Sequence, residues 1–340
     1  MPPTCPTACA RARGARPACS SNPTSAWNGS AFTNARLYFA GGFALLLFDI
    51  VASLARHRPG RPARFLTERY RARLRDPRTA AGLLALAVLI AFMPFFSRLK
   101  SMIPLLNDFG WDAAFIAWDR ALFLGFDAWQ VMQPLLGYPP VTAALAFLYH
   151  AWILLIYLGT LYLLFYRAAE PVRRQYLIAF LLIWTIVGGA MATMFASVGP
   201  CFVGPILGDD TFAAQMAYLE AANREVPIMT LHVQDLLLEW HRDGNRGLGS
   251  GITAMPSMHV AMAMLFWLAV RRVSPGAGRF FFVFLALIWI GSVHLAYHYA
   301  VDGLVSVIAT AVLWWAANRL VAWWDARAQP TLRTNTVPAE

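Results

Sequence analysis

The chain of 340 residues is 59% hydrophobic and only 14% charged, with a mean hydropathy of +0.51, against roughly 45–50% and 25% for soluble domains. That excludes an ordinary soluble globule, and 13 Trp, 11 Tyr and 23 Phe exclude a chain that stays unfolded in water. The net charge of +10 invites a nucleic-acid reading, but nine Arg crowd between Arg56 and Arg78, flanked by apolar runs and without an RNA- or DNA-binding motif. This is how a cytoplasmic loop of a membrane protein looks.

Residues 1–35, rich in Pro, Ala, Ser and Arg and lacking an apolar period, read as a disordered tail. With no apolar stretch before the first span, no cleaved signal is expected. The tail holds Cys5, Cys9 and Cys19, and the remaining cysteine is Cys201, so neither a paired framework nor a CxxC metal spacing exists. About 20 helical residues cross the roughly 30 Å of hydrocarbon. Apolar runs of that order lie near 37–55, 79–97, 141–165, 176–198, 256–272, 279–298 and 302–323. The expectation is an all-α, polytopic membrane bundle with six or seven transmembrane helices.

Arg placement orients it. The 56–78 loop, Arg167, Arg173 and Arg174, and Arg271, Arg272 and Arg279 all belong on the cytoplasmic side in one consistent topology. The stretches 98–140 and 199–255 and the junction near 298–302 are then extracytoplasmic, and the C-terminus is inside. Residues 101–140 are too broken by Pro and charge to span. Trp111-Asp112 and Trp118-Asp119 recur seven apart, with Asp127 and Trp129 beyond, which predicts an amphipathic helix lying in the interface. It reads either as a packing and anchoring element or as a headgroup-binding one. The mixed polar stretch 202–255, with its Gly-rich run Gly244–Gly251, is an external loop.

Ionisable groups in or beside spans cost about 2.5–3.5 kcal/mol at a helix centre, so each needs a reason. His298 and Asp302 are four apart and share a face if the helix continues. The carboxylate then fixes the imidazole tautomer and frees the other ring nitrogen as nucleophile or base, or the two groups merely satisfy each other. His259 follows Pro256 and Ser257 at the start of an apolar run, where free N–H groups and the Ser257 hydroxyl make an anion site; the alternative is a structural histidine. A metal site of His259, His294, His298 and Asp302 is a rival, disfavoured because ligands at i, i+4 and i+8 spread over about two turns. A transporter or scaffold with polar groups along a path is another, and no half-helix pair or inverted repeat supports it.

Met255-Pro256-Ser257-Met258-His259, followed by His298-Tyr299-Ala300-Val301-Asp302, resembles the second and third motifs of the type 2 phosphatidic acid phosphatase superfamily. In layout the resemblance covers roughly residues 100–325. It implies a metal-independent lipid phosphatase or phosphotransferase without cofactor, acting on a lipid phosphate or phospholipid in the cell membrane and binding no nucleic acid. His298 would attack phosphorus to form a phosphohistidine, Asp302 would orient it, and His259 would protonate the departing oxygen and then deprotonate the acceptor.

The resemblance divides the chain into the tail, N-terminal membrane helices with the Arg-rich loop (36–100), a catalytic membrane domain (101–325) and a cytoplasmic tail (326–340). The family's first motif is missing: Lys100 is the only Lys, and Asn107 stands where an Arg-Pro is expected. Ser292 occupies the position of the third motif's Arg. His294, Arg242 and Arg246, with Ser257, are the candidate replacements for gripping phosphate, and Gly199-Pro200 is the candidate remnant of the first-motif region. These departures look more like the inositol phosphorylceramide synthase branch, which transfers a headgroup to an alcohol such as inositol or ceramide, than like the plain phosphatases.

Overall fold

The computed structural model describes residues 23–166, 169–243 and 251–333, and among these every regular element is helical. Helix α1 spans Pro23–His57, α2 Pro62–Arg75 and α3 Pro77–Leu106. Two short helices, α4 (Asp112–Leu122) and α5 (Ala128–Leu136), precede α6 (Pro139–Phe165) and α7 (Pro171–Met194). Then come α8 (Ala213–Glu225), α9 (Met229–Arg242), α10 (Met258–Val273), α11 (Pro275–His294) and α12 (Ala300–Arg333).

Among the described residues, stretches of α1, α3, α6, α7, α11 and α12 are long and apolar enough to cross a membrane, which makes six. The seventh apolar run became α10, whose 16 residues reach only about 24 Å at 1.5 Å per residue. Ten of those residues are buried, against α7, α11 and α12, so α10 is the central post of the bundle. Local chemistry sets several starts. Asp76 caps α3 through the Arg78 N–H with Pro77 in the first turn, and Ser274 caps α11 through the Ala277 N–H with Pro275 behind it.

Several boundaries differ from the sequence expectation. The first helix already begins at Pro23, so the tail expected over 1–35 overlaps it, and residues 1–22 lie outside the described residues. Helix α12 runs to Arg333, into the stretch expected as a tail from 326. The single interfacial helix expected in 101–140 is two helices, because Leu124 and Gly125 take positive φ angles (57° and 95°) and end α4. Helix α7 stops at Met194, short of 198. Helix α11 stops at His294. There the chain reverses at Ala296 (φ 61°), and the Ser292 carbonyl accepts the N–H groups of both Tyr297 and His298.

Antiparallel succession of the long helices sorts the connections to two ends. One end carries α2, the α6–α7 and α10–α11 turns and the end of α12, tied by Arg69 and Arg73 to Asp49, Arg174 to Asp325 and Arg272 to Gln175. The other end carries α4, α5, α8, α9 and the turns 195–199 and 295–299.

Candidate active site

Three short backbone segments meet at this second end. Cys201 N–H donates to the Ala296 carbonyl (2.8 Å), and Ala254 N–H donates to the Ser197 carbonyl (2.9 Å). The Met255 N–H donates to the Ser197 hydroxyl (3.2 Å). Gly199 makes the junction possible: its φ is 86°, and a Cβ there would lie 2.6 Å from the Tyr297 carbonyl oxygen and 2.9 Å from Ala254. The turn is also fastened from outside, the Gln215 amide donating to the Val293 carbonyl (2.8 Å) and the Gln234 amide to the Leu295 carbonyl (2.9 Å).

His298 sits in this turn, two residues before α12 begins, so the continuous helix presumed by the i, i+4 argument is absent. The pairing forms anyway, because Asp302 in the first turn of α12 reaches back. Its Oδ2 lies 3.1 Å from His298 Nδ1 and accepts the Tyr299 N–H at 3.1 Å. Asp302 is fully buried, and its Oδ1 has no hydrogen-bond partner among the described residues. Gly303, next in the chain, is required here: a Cβ would collide with the Trp289 indole nitrogen, which donates to the Ala300 carbonyl at 3.0 Å.

His259 lies in the first turn of α10, capped by Ser257, whose hydroxyl accepts the Val260 N–H at 3.4 Å. Pro256 falls before the cap and not in the first turn. The His259 ring is held between Tyr149 and Trp152 of α6, each with ring centroids at 4.1 Å, and Tyr149 in turn stacks on Tyr297 at 5.0 Å. The His259 and His298 ring centroids are 6.5 Å apart. Two imidazoles, one paired with a buried carboxylate and one at a helix N-terminus, thus share one small space.

Of the other sequence candidates, His294 and Arg242 go elsewhere. His294, at the end of α11, is turned into α6, with Nε2 2.8 Å from the Thr142 hydroxyl, which also meets the Tyr218 hydroxyl at 2.6 Å. The reversal at Ala296 takes it off the face it would share with His298 in a continuous helix. Arg242 is exposed at the end of α9, and Arg246 lies outside the described residues. Among the described residues no three His, Cys, Asp or Glu side chains converge as metal ligands.

Two things were missed in the sequence. Lys100, near the end of α3, packs beside Gly251; burial first, and then the charges of His298, His150 and Lys100, hold the His259 imidazole well below its ordinary pKa. The only clue to Lys100 was that it is the sole Lys of the chain. The second concerns α4, expected to lie in the interface. Its aspartates point inward, Asp112 and Asp119 being 3% and 5% exposed, whereas Trp118 is 46% exposed. Asp112 accepts from the Val198 and Gly199 N–H groups (3.0 Å each) and from the Tyr299 hydroxyl (2.7 Å). Asp119 accepts the first two amides of α12, Ala300 (2.7 Å) and Val301 (2.8 Å). Burial pushes the Asp119 carboxyl up to about 6, although its two amide donors pull the other way. Burial, with Asp112 beside it, also raises the Tyr299 phenol, so that hydroxyl is a donor at neutral pH.

A cavity of about 320 Å³ opens beside Pro200, lined by Phe202, Asp209, Glu220, Gln234 and Asp235 among others. Its charged lining is acidic.

A family model described as the PAP2 superfamily matches residues 113–316, more than half of the chain. No curated protein and no solved structure matches it.

Proposed function

The chain belongs to the PAP2 superfamily, and from that premise we propose that it is a lipid phosphatase or phosphotransferase working through a phosphohistidine on His298. Membership and the multi-span helical fold suggest a membrane enzyme of phosphatase type. The observation that carries the finer reading is the His298–Asp302 pair with His259 across from it.

With Nδ1–H directed at Asp302, the lone pair of His298 Nε2 is free to attack phosphorus. The N–P bond forms as the bond to the lipid oxygen breaks, and His259, which burial keeps neutral in the free protein and which takes up a proton beside the substrate's phosphate charge, gives that oxygen its proton. His259 then takes a proton from water or an alcohol, whose oxygen attacks phosphorus and releases His298. The substrate-bound state needs one neutral and one protonated imidazole, and general acid catalysis of this kind contributes about 10²–10⁴ in rate. The Lys100 ammonium and the first amides of α10, which a helix leaves without intrahelical acceptors, supply the positive potential that developing phosphoryl charge requires. Lys100 thereby takes the part expected of His294 and Arg242, which lie elsewhere.

The cavity beside Pro200, lined by neither His259 nor His298, has the chemistry of an alcohol-acceptor pocket and supports the transferase reading. Carboxylates at Asp209, Glu220 and Asp235 repel a phosphate but accept hydrogen bonds from a polyhydroxylated acceptor. The Arg groups gathered at the opposite end support a site on the extracytoplasmic face of the cell membrane. Cysteine at exposed position 235, in a background with the native cysteines replaced, should react with an impermeant thiol reagent in intact cells; labelling only after permeabilisation reverses the topology.

Purified protein incubated with a panel of lipid phosphates and phospholipids, with and without inositol or ceramide, identifies donor and acceptor from the products. His298→Ala and His259→Ala should each abolish turnover while inserting and folding normally. Full activity in either variant refutes the assignment.

A further inference from the structure

The Trp-Asp repeat of α4 places two carboxylates seven residues apart on one helix face, and both are buried against the site, Asp119 lining a small cavity together with His298. Each spends its acceptors on main-chain groups of the catalytic turn. Asp112 holds Val198 and Gly199 on one strand of the junction and, through the Tyr299 hydroxyl, the residue next to His298 on the other. Asp119 receives the Ala300 and Val301 amides, which open the helix that carries Asp302. A helix leaves its first N–H groups unpaired, and a buried unpaired donor is costly. The position of α4 therefore dictates where α12 can begin, and with it how far Asp302 reaches back to His298 Nδ1.

We propose that Asp112 and Asp119 are positioning residues for phosphoryl transfer, a two-point clamp from α4 that sets the His298–Asp302 geometry. The inference rests on the catalytic reading of that pair. Both carboxylates spend their oxygens on protein donors and act through the segments they grip. Several observations concur. The turn contains a non-glycine residue in the left-handed region, Ala296 at φ 61°, which needs surrounding contacts to persist. The five amide and hydroxyl donors are all within 2.7–3.1 Å of the two carboxylates. Misplacement of a catalytic group by about 1 Å costs on the order of 10²-fold in rate.

The test uses the full-length protein in detergent micelles with dioleoyl phosphatidic acid as the phosphate donor, and hydrogen exchange of the 297–303 segment as a readout independent of turnover. Asp119→Ala should speed exchange at Ala300 and Val301 by about tenfold or more. It should also lower kcat by roughly 10–100-fold with KM within about twofold. Asp119→Asn, which keeps one carbonyl acceptor, should recover part of both, and Tyr299→Phe, which removes one of three Asp112 contacts, should lower kcat more mildly. In an Asp302→Ala background most of the Asp119→Ala effect should vanish, because geometry already lost cannot be lost again; a merely structural defect would add in full.

Unchanged exchange, unchanged kcat, a rise in KM alone or full additivity each overturns the proposal. Should Asp119→Ala fail to fold, Asp119→Asn and Tyr299→Phe decide it. His298→Ala separates the two levels. A dead His298→Ala beside wild-type kcat in the clamp variants refutes only the clamp, whereas an active His298→Ala refutes the reading beneath it.

Discussion

Asp49 in α1 and Asp302 in α12 are carboxylates in spans of the same bundle, and the protein treats them oppositely. Asp49 meets two guanidiniums, Arg69 at 3.1 Å and Arg73 at 3.0 Å, plus the Tyr70 hydroxyl at 2.7 Å. Asp302 meets an imidazole and an amide, while Asp112 and Asp119 beside it meet only amides and a hydroxyl. A charge that serves architecture is neutralised by Arg, which folds α2 back onto α1. The charge proposed to serve chemistry, Asp302, is held at Oδ2 by the Tyr299 amide and His298, with no guanidinium to compete with His298 for it, and its Oδ1 has no partner among the described residues. The same contrast runs through packing: 17% of the apolar window of α1 is buried against 44% of that of α12, so Asp49 sits on a peripheral helix and Asp302 on a more deeply packed one.

Removing the one amine near the site breaks the comparison most sharply. Lys100→Ala should lower kcat/KM by roughly 10²–10³-fold, the scale of losing one electrostatic donor to a transition state, while Arg73→Ala leaves it unchanged. Steady-state assays on the two variants check this; equal effects would mean that the excess charge has no division of labour.

Acid titration comes next in size. The raised Asp119 carboxyl, at about 6 against a free value near 3.9, means that the folded protein binds its proton more tightly than the unfolded chain does. Its contribution to stability is therefore fully present below the free value and lost as pH rises through about 6, amounting to about 3 kcal/mol at most. Melting curves in detergent between pH 4 and 7 should show the wild type losing stability with rising pH relative to Asp119→Asn; parallel curves would contradict it.

Asp49→Ala should be the mildest. With side chains 28% exposed on both sides of the Arg69 pair, the loss should be about 1 kcal/mol, seen as a slightly lower Tm with activity retained.

The bundle was legible because apolar runs of membrane length carry their own signal, and the His298–Asp302 pair was legible through its spacing. Yet the pair forms across a turn and a helix start, not along one helix, since nothing local announces that Ala296 reverses the chain. The same reversal explains His294, whose sequence neighbours implied a shared face with His298. Asp112 and Asp119 were seen to recur at one face, but periodicity says only that residues share a face and not which way it points. Their direction is set by the unpaired amides of 198–199 and 300–301, a tertiary demand. Lys100 was passed over because its partner motif is absent, and only packing brings it beside Gly251, in the segment that leads to His259.

The central claim is a covalent phosphohistidine on His298, and trapping it is the most direct measurement. Brief reaction with a phosphate-labelled lipid followed by alkaline quench and peptide mapping should recover acid-labile, base-stable phosphate on the peptide carrying His298, absent in His298→Ala and accumulating in a variant whose acceptor step is blocked. Turnover of that lipid with no label on His298 at any time point would contradict the account.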